Sequence, residues 1–259
     1  MRNILIKIAY DGTGFAGWQR QSNARTVCGE LERVLSILAG TDIKISGTSR
    51  TDAGVHALGQ CASFTLPDDG IPTERIPRAA NRLLAPDRVE SIGDIKVLSA
   101  QEMPEGFHAR HSCKGKRYIY RIYNCREKSP FRRTQFYQIA EKLDVDAMRK
   151  AAEYIVGEHD FVCFMTSGGE PGDSTVRTVF DLDITEAPVS DEASNITISI
   201  SGSGFLYNMV RIITGTLVEV GLGKRSPESV EDIILSKDRG KAGHVAPPQG
   251  LYLEEVFYE

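Results

Sequence analysis

The chain has 259 residues, of which 41% are hydrophobic and 25% are charged, so it can bury a sizeable core and is neither disordered nor collagen-like. Its formal net charge of −4 argues against an anionic partner when taken as a sum. The five cysteines are widely spaced and lack a Cys-x-x-Cys pair, which excludes a disulfide framework or a zinc site. Without a long apolar run or a signal peptide, we expect a cytoplasmic protein with free thiols and no membrane partner.

The predicted elements begin with a strand over 3–10, in which isoleucines alternate, and a glycine-rich loop over 11–25 follows it. Thr26 is a suitable N-cap for a helix that ends at Gly40. Further strands are predicted over 43–48, 60–66, 89–97, 116–124, 175–185, 195–202 and 251–257. Further helices are predicted over 77–84, 144–156, 205–220 and 226–235. Because strands and helices do not alternate strictly, the pattern favours an α+β fold with helices packed on a mixed sheet.

Basic residues are concentrated in the segment 107–133, which has nine Lys or Arg against one Glu and therefore carries +8. The remaining 22 basic and 34 acidic residues leave the rest of the chain at −12. A basic run is most often a solvated face, but tyrosines are interleaved here, and nucleic-acid binding uses both phosphate contacts and aromatic stacking. The nine are Arg110, Lys114, Lys116, Arg117, Arg121, Arg126, Lys128, Arg132 and Arg133.

The glycines in Gly12-x-Gly14-x-x-Gly17 follow the first strand with the spacing of a dinucleotide-binding fingerprint. That motif requires a helix that begins inside it, so that the helix N-terminus meets the pyrophosphate, whereas the predicted helix begins near Thr26. A nucleotide-dependent oxidoreductase is therefore a minor alternative. Since no His, Cys or carboxylate cluster has metal-ligand spacing, we expect neither a cofactor nor a metal.

The densest polar cluster lies over 47–57, between two predicted apolar strands, and contains Arg50, Thr51, Asp52 and His56. An aspartate followed by Ala-Gly can be an ordinary turn residue that binds its own backbone. Catalytic residues, however, gather on loops held by rigid strands. The chemistry of these side chains alone leaves both interpretations open.

Residues 50–57, RTDAGVHA, resemble the catalytic signature of the tRNA pseudouridine synthase A family. Other parts of the chain match the motifs of that family in order: YDGTGFAGWQRQ over 10–21, FHAR over 107–110, KRYIY over 116–120, GFLYNMVR over 204–211 and GLYL over 250–253. The resemblance thus covers essentially the whole chain. One departure is Ser49, where the family usually has glycine, and it leaves a catalytically silent RNA-binding module as a second alternative.

The resemblance implies the pseudouridine synthase fold, with a mixed, mostly antiparallel central sheet flanked by helices. It implies two α/β subdomains, 1–105 with the catalytic Asp loop and 106–259 with the Tyr strand and the Arg helix. The implied activity is isomerisation of uridine to pseudouridine at positions 38, 39 and 40 of the tRNA anticodon arm. A homodimer would carry it out without a cofactor or metal, and its two basic segments would line one RNA groove.

The resemblance also implies roles for individual residues. Asp52 is the nucleophile, which attacks either the uracil ring or the ribose C1′, and Arg211 is the charge partner of its carboxylate. An unpaired charge in the apolar stretch around Arg211 would be costly, which agrees with that role. Tyr118 stacks on the uracil and is a candidate to take the C5 proton, while Arg50 fills the space of the flipped base. Further RNA contacts are expected from Trp18, Gln19, Arg20, Arg25, His56, Arg110, Lys114, Lys116 and Arg117.

Overall fold

The computed structural model describes residues 1–85, 93–168 and 174–259. The strands are β1 (Arg2–Tyr10), β2 (Ser46–Gly47), β3 (His56–Leu66), β4 (Ile95–Met103), β5 (Gly115–Cys125), β6 (Tyr137–Ile139), β7 (Gly157–Asp160), β8 (Val176–Ser190), β9 (Ala193–Gly202) and β10 (Leu251–Phe257). The α-helices are α1 (Val27–Ala39), α2 (Ile76–Leu84), α3 (Val145–Glu153), α4 (Met209–Gly221) and α5 (Ser229–Ser236). No helix among the described residues is long and apolar enough to cross a membrane.

The chain packs as two compact units, one of residues 1–114 with 252–259 and the other of residues 115–251. The subdomains predicted from the sequence were 1–105 and 106–259, whereas residues 106–114 and 252–259 pack in the first unit. Hydrogen bonds donated by backbone amides explain this difference. The amide of Ala109 donates to Ser63 Oγ at 3.0 Å, and the amide of Lys114 donates to the carbonyl of Phe257 at 2.8 Å.

In the first unit the strand order is β4-β1-β3-β10, with β2 also on β3. The pairs are antiparallel except for β3 with β10, which is parallel. The alternating isoleucines of β1 are fully buried, as the two-residue period predicts. Helix α1 begins where its cap was predicted, because Thr26 Oγ1 accepts from the amide of Gly29, and it ends at Gly40 in the left-handed conformation.

In the second unit the strand order is β5-β9-β8-β7, all antiparallel, with β6 parallel to β5. Helix α3 packs against α4 and β8. One face of the strands is apolar and buried, and Tyr120, Ile122 and Ile198 lie on it. Successive residues of β5 point to opposite faces, so Lys116 and Arg117 lie on opposite sides of the strand. The basic segment is therefore not a single surface.

The predicted α+β class with mostly antiparallel strands is confirmed. Most element bounds differ from the prediction by a few residues, and the regions around Asp52, Asn208 and β4 are described here. The strand predicted over 43–48 is only Ser46–Gly47, and the next strand begins at His56, because the intervening residues form the Asp52 loop. The helix predicted from 205 begins at Met209, since Asn208 has φ +61°. The strand predicted over 89–97 lies partly outside the described residues, and the observed strand there is β4.

Candidate active site

The Asp52 loop comprises residues 48–55 and connects β2 to β3 in the first unit. The amide of Val55 donates to the carbonyl of Asp52 at 3.1 Å, which closes a tight turn, and Gly54 beside it has φ +78°. Asp52 itself is half-buried, whereas Arg50 is exposed. The loop thus presents a guanidinium to solvent two residues before a partly sheltered carboxylate.

The backbone on both sides of Asp52 is held by buried polar groups. Thr48 Oγ1 lies 3.1 Å from the carbonyl of Cys61 and 2.9 Å from the hydroxyl of Tyr258. Gln60 Nε2 donates to the carbonyl of Ser49 at 2.8 Å. On the other side of Arg50, the hydroxyls of Tyr10 and Thr51 lie 2.7 Å apart. These bonds fix the loop before any substrate binds. Neither Gln60 nor Thr48 was given a role from the sequence, because a polar residue inside a strand, as Gln60 is, or at the start of a loop, as Thr48 is, has no distinctive spacing.

The glycines of the first loop make room for the Asp52 loop. A Cβ on Gly12 would lie 2.0 Å from the carbonyl oxygen of Val55, and one on Gly17 would lie 2.6 Å from that of Thr51. The amide of Trp18 also donates to the carbonyl of Thr51 at 2.9 Å. Packing of one backbone on another therefore explains Gly12 and Gly17. Helix α1 begins only at Val27, as the sequence predicted.

His56 and Trp18 are buried, and each is only 2% exposed. His56 Nδ1 accepts from the amide of Gly12 at 3.0 Å, and its ring stacks on Tyr252 with 4.6 Å between centroids. The Trp18 ring fills the space above Gly47, where a Cβ would lie 2.4 Å from it. Because both rings are packed inside the first unit, a direct contact with RNA would require the residues that cover them to move.

The other predicted contacts from the first loop are exposed. Gln19 faces solvent, and Arg20 is 59% exposed but pairs at 2.9 Å with Glu32, which is 8% exposed. Arg25 pairs with Asp94 at 2.7 Å and covers the Phe15 ring at 4.2 Å. Part of the positive charge of both arginines is therefore balanced within the protein.

Ser49, which departs from the family pattern, is buried and 6% exposed. Among the described residues its hydroxyl finds no hydrogen-bond partner. Non-glycine residues with positive φ in the described ranges are Asn208 and Lys237, so Ser49 is not strained in this way. The φ angle at this position therefore does not require glycine.

Tyr118 and Arg211 belong to the second unit. Tyr118 lies on β5 and is 8% exposed, and its ring meets Phe205 edge-on with 5.3 Å between centroids. Arg211 lies in the first turn of α4 and is partly buried. Its Nε donates to the carbonyl of Ala246 at 2.7 Å, and its Nη1 donates to Asn208 Oδ1 at 2.8 Å. The orientation of the guanidinium is thus fixed from two segments.

Asn208 is a positioning residue to which the sequence analysis gave no role. Its φ of +61° and the hydrogen bond from its Nδ2 to Thr166 Oγ1 at 2.9 Å set the start of α4 and the side chain that receives Arg211. Asparagine tolerates the left-handed conformation better than most residues. An asparagine directly before an apolar helix is the signal that could have identified it.

The remaining predicted RNA contacts differ in exposure. Arg110 and Lys114 are exposed, whereas Lys116 and Arg117 are half-buried on opposite faces of β5. Among the described residues, no three His, Cys, Asp or Glu side chains come together as a metal-binding group. The first unit therefore presents the Asp52 carboxylate and the Arg50 guanidinium, and the second unit presents the Tyr118 phenol and the Arg211 guanidinium.

Comparison with known proteins gives consistent matches. A family model described as tRNA pseudouridine synthase matches residues 6–112 and 151–259. The tRNA pseudouridine synthase A of Acetivibrio thermocellus is 46% identical over 258 residues, which cover 100% of both chains. That of Ruminiclostridium cellulolyticum is also 46% identical with the same coverage, and "tRNA pseudouridine synthase A 2" of Clostridium tetani is 42% identical over 99% of both chains. The chain belongs to the tRNA pseudouridine synthase A family.

Proposed function

We propose that this chain isomerises uridine to pseudouridine at positions 38, 39 and 40 of the tRNA anticodon arm, with Asp52 as the nucleophile. Membership of the family supports the coarser statement, that the chain is a tRNA-modifying isomerase. The observation that carries the role of Asp52 is the fixed loop around it. Polar groups hold Ser49 and Thr51, and Gly17 admits the first loop against them.

The proposed reaction explains why such a loop is useful. The N1 to C1′ glycosidic bond breaks, the uracil turns, and a bond forms from C5 to C1′, while the C5 proton leaves and N1 takes up a proton. No electrons are gained or lost overall, so side chains suffice: a nucleophile, a proton acceptor and a means of holding the extruded nucleotide. A nucleophile held in place before binding lowers the entropic part of the barrier.

The other residues have proposed roles that follow the family motif. Arg211, whose guanidinium is oriented by Ala246 and Asn208, is the proposed charge partner of the Asp52 carboxylate. Tyr118 stacks on the uracil, and its phenol oxygen is the candidate acceptor of the C5 proton. Arg50, which is exposed, occupies the space that the flipped base leaves.

We further propose that the protein acts as a homodimer and that exposed basic residues bind the phosphates of the tRNA. Lys114 is a good test residue because it is exposed. Each phosphate neutralised by a cation changes the slope of log K against log salt by about 0.7 to 0.9. We therefore expect Lys114→Glu to weaken tRNA binding and flatten its salt dependence, and an unchanged slope would count against this contact. Sedimentation of the free protein tests the dimer.

The experiment that tests the position is site mapping of the product. Three tRNAs, each with a uridine at only one of the positions 38, 39 and 40, are incubated with the wild type and with Asp52→Asn, which preserves the side-chain shape. Pseudouridine is then located by chemical marking and primer extension. The proposal predicts a stop at each of the three positions with the wild type and none with the variant. Modification at other uridines only, or equal modification by Asp52→Asn, would contradict it.

A further inference from the structure

One aromatic side chain of the second unit projects almost wholly into solvent. Phe131 is 93% exposed, more than any other large apolar side chain that the structure describes, and it lies in the short 3-10 turn Pro130–Arg132. An isolated exposed apolar residue is common on protein surfaces and needs no explanation by itself. The way in which this turn is built distinguishes Phe131 from such residues.

The turn is tied down from behind by side chains of the neighbouring segments. The Gln138 amide accepts from the amide of Ser129 at 2.6 Å and donates to the carbonyl of the same residue at 2.8 Å. On the other side of Phe131, the Arg132 guanidinium lies 4.3 Å from the Tyr123 ring centroid and donates to Asn195 Oδ1 at 2.8 Å. The residues around Phe131 are thus anchored, while its own ring is left in solvent.

The charges beside Phe131 show which kind of partner fits. Residues 126–133 contain four basic residues and one acidic residue, Glu127. Arg132 is engaged in the scaffold, but Arg126, Lys128 and Arg133 remain exposed. An exposed aromatic ring on an anchored turn, among exposed cations, matches single-stranded nucleic acid, whose bases stack on aromatic rings while cations bind the phosphates. An apolar protein partner would remove water from three positive charges without pairing them, and this desolvation costs binding free energy.

We propose that Phe131 stacks on an unpaired base of the bound tRNA and that Lys128 and Arg133 bind the adjacent phosphates. The inference rests on the proposed function for the identity of the RNA, and it adds a base contact outside the Asp52 loop. It also divides the basic segment by role, since Arg132 orients the turn and its exposed neighbours contact RNA.

The first experiment measures tRNA affinity at one fixed salt concentration for the wild type, Phe131→Ala and Phe131→Trp. Leu235→Ala is the matched control, because Leu235 is 72% exposed on α5. Removing one base–aromatic stack is expected to weaken binding about 5-fold or more. Phe131→Trp and Leu235→Ala should bind as the wild type does. The slope of log K against log salt should not change in Phe131→Ala. Lys128→Gln should reduce its magnitude by about 0.7 to 0.9, the contribution of one phosphate contact.

A fluorescence experiment observes the stack directly. The chain has one tryptophan, Trp18, which is buried, so Phe131→Trp and Leu235→Trp each add one exposed reporter. Stacking on a base should quench the emission of Phe131→Trp on addition of tRNA and leave Leu235→Trp unchanged. Equal quenching of both, or of neither, would overturn the proposal.

Two outcomes, one of the affinity measurement and one of sedimentation, would contradict the stacking contact. Phe131→Ala that binds tRNA within about twofold of the wild type would exclude it. Sedimentation that shows a changed oligomeric state in Phe131→Ala would identify Phe131 as a contact between copies of this chain instead. Failure of the proposed function is distinguishable, because the wild type would then bind tRNA without forming pseudouridine, and the Phe131 comparison would still be decided by affinity and quenching.

Discussion

Substitution of Gly17 by alanine tests whether the first loop sets the position of the Asp52 loop. Gly17 has φ +89°, where an L-residue is strained by roughly 1 to 2 kcal/mol. The added Cβ would lie 2.6 Å from the carbonyl oxygen of Thr51, and ordinary contact begins at 3.4 Å, so the two backbones must separate by 0.8 Å. The backbones of Gly17 and Thr51 are both held by other hydrogen bonds, so overpacking adds a cost of roughly 1 to 3 kcal/mol.

We therefore expect Gly17→Ala to lower the free energy of unfolding by roughly 2 to 5 kcal/mol and to displace the carboxylate of Asp52. A displacement of about 1 Å in a catalytic group lowers the rate on the order of 100-fold. Chemical unfolding measures the first effect. Pseudouridine formation in a single turnover, with all tRNA bound, measures the second on folded protein at a temperature well below unfolding.

Gly14→Ala is the matched control within the same glycine motif. A Cβ on Gly14 would first meet the Nη1 atom of Arg25 at 3.4 Å, which is ordinary contact with a flexible side chain. The variant should keep the stability and rate of the wild type. A dinucleotide-binding loop would show the opposite, since its second glycine lets the pyrophosphate approach. Wild-type behaviour of Gly17→Ala, or equal damage from both variants, would refute this reasoning.

Two further predictions concern stability and thiol reactivity. The ammonium of Lys237, 2.8 Å from the carboxylate of Asp160, and the hydroxyl of Thr175 lower the pKa of Asp160 below its ordinary 3.8, so the ionised form stabilises the fold above that pH. Asp160→Asn should therefore unfold more easily than the wild type at neutral pH. The difference should shrink as the pH falls through the lowered pKa, and a pH-independent difference in urea unfolding would contradict this. Burial raises the pKa of three thiols to about 11, so iodoacetamide at pH 8 should label the native protein only at the two half-buried cysteines, as peptide mass spectrometry can show. The protected thiols are Cys28, Cys61 and Cys163, and the reactive ones are Cys113 and Cys125.

The sequence predicted the elements whose signals are local. The N-cap at Thr26, the stop at Gly40 and the alternation in β1 and β5 are read from neighbouring residues, and the structure has them at the predicted positions. The start of α4 was predicted too early, because the apolar pattern from 205 onward hides the left-handed Asn208. The strands β6 and β7 are three and four residues long, too short for periodicity to reveal.

The residues of the candidate site were less predictable from the sequence than the helices and strands. The motif around Asp52 identified the loop, but its supports are long-range contacts that no spacing encodes, such as Gln60 to Ser49 and Thr48 to Tyr258. Trp18 and His56 were also expected to contact RNA, and the structure shows that both rings are buried. Aromatic and imidazole side chains serve packing and binding equally well, so exposure had to be seen in the structure.

Release of tritium from tRNA labelled at uridine C5 tests the central claim most directly, since joining C5 to C1′ must expel that hydrogen. The wild type is compared with Asp52→Asn, and Asp42→Asn serves as control because Asp42 is exposed in the same unit. We predict release by the wild type and the control and none by a folded Asp52→Asn that still binds tRNA. Release by Asp52→Asn at the wild-type rate, or no release by any of the three, would contradict the account.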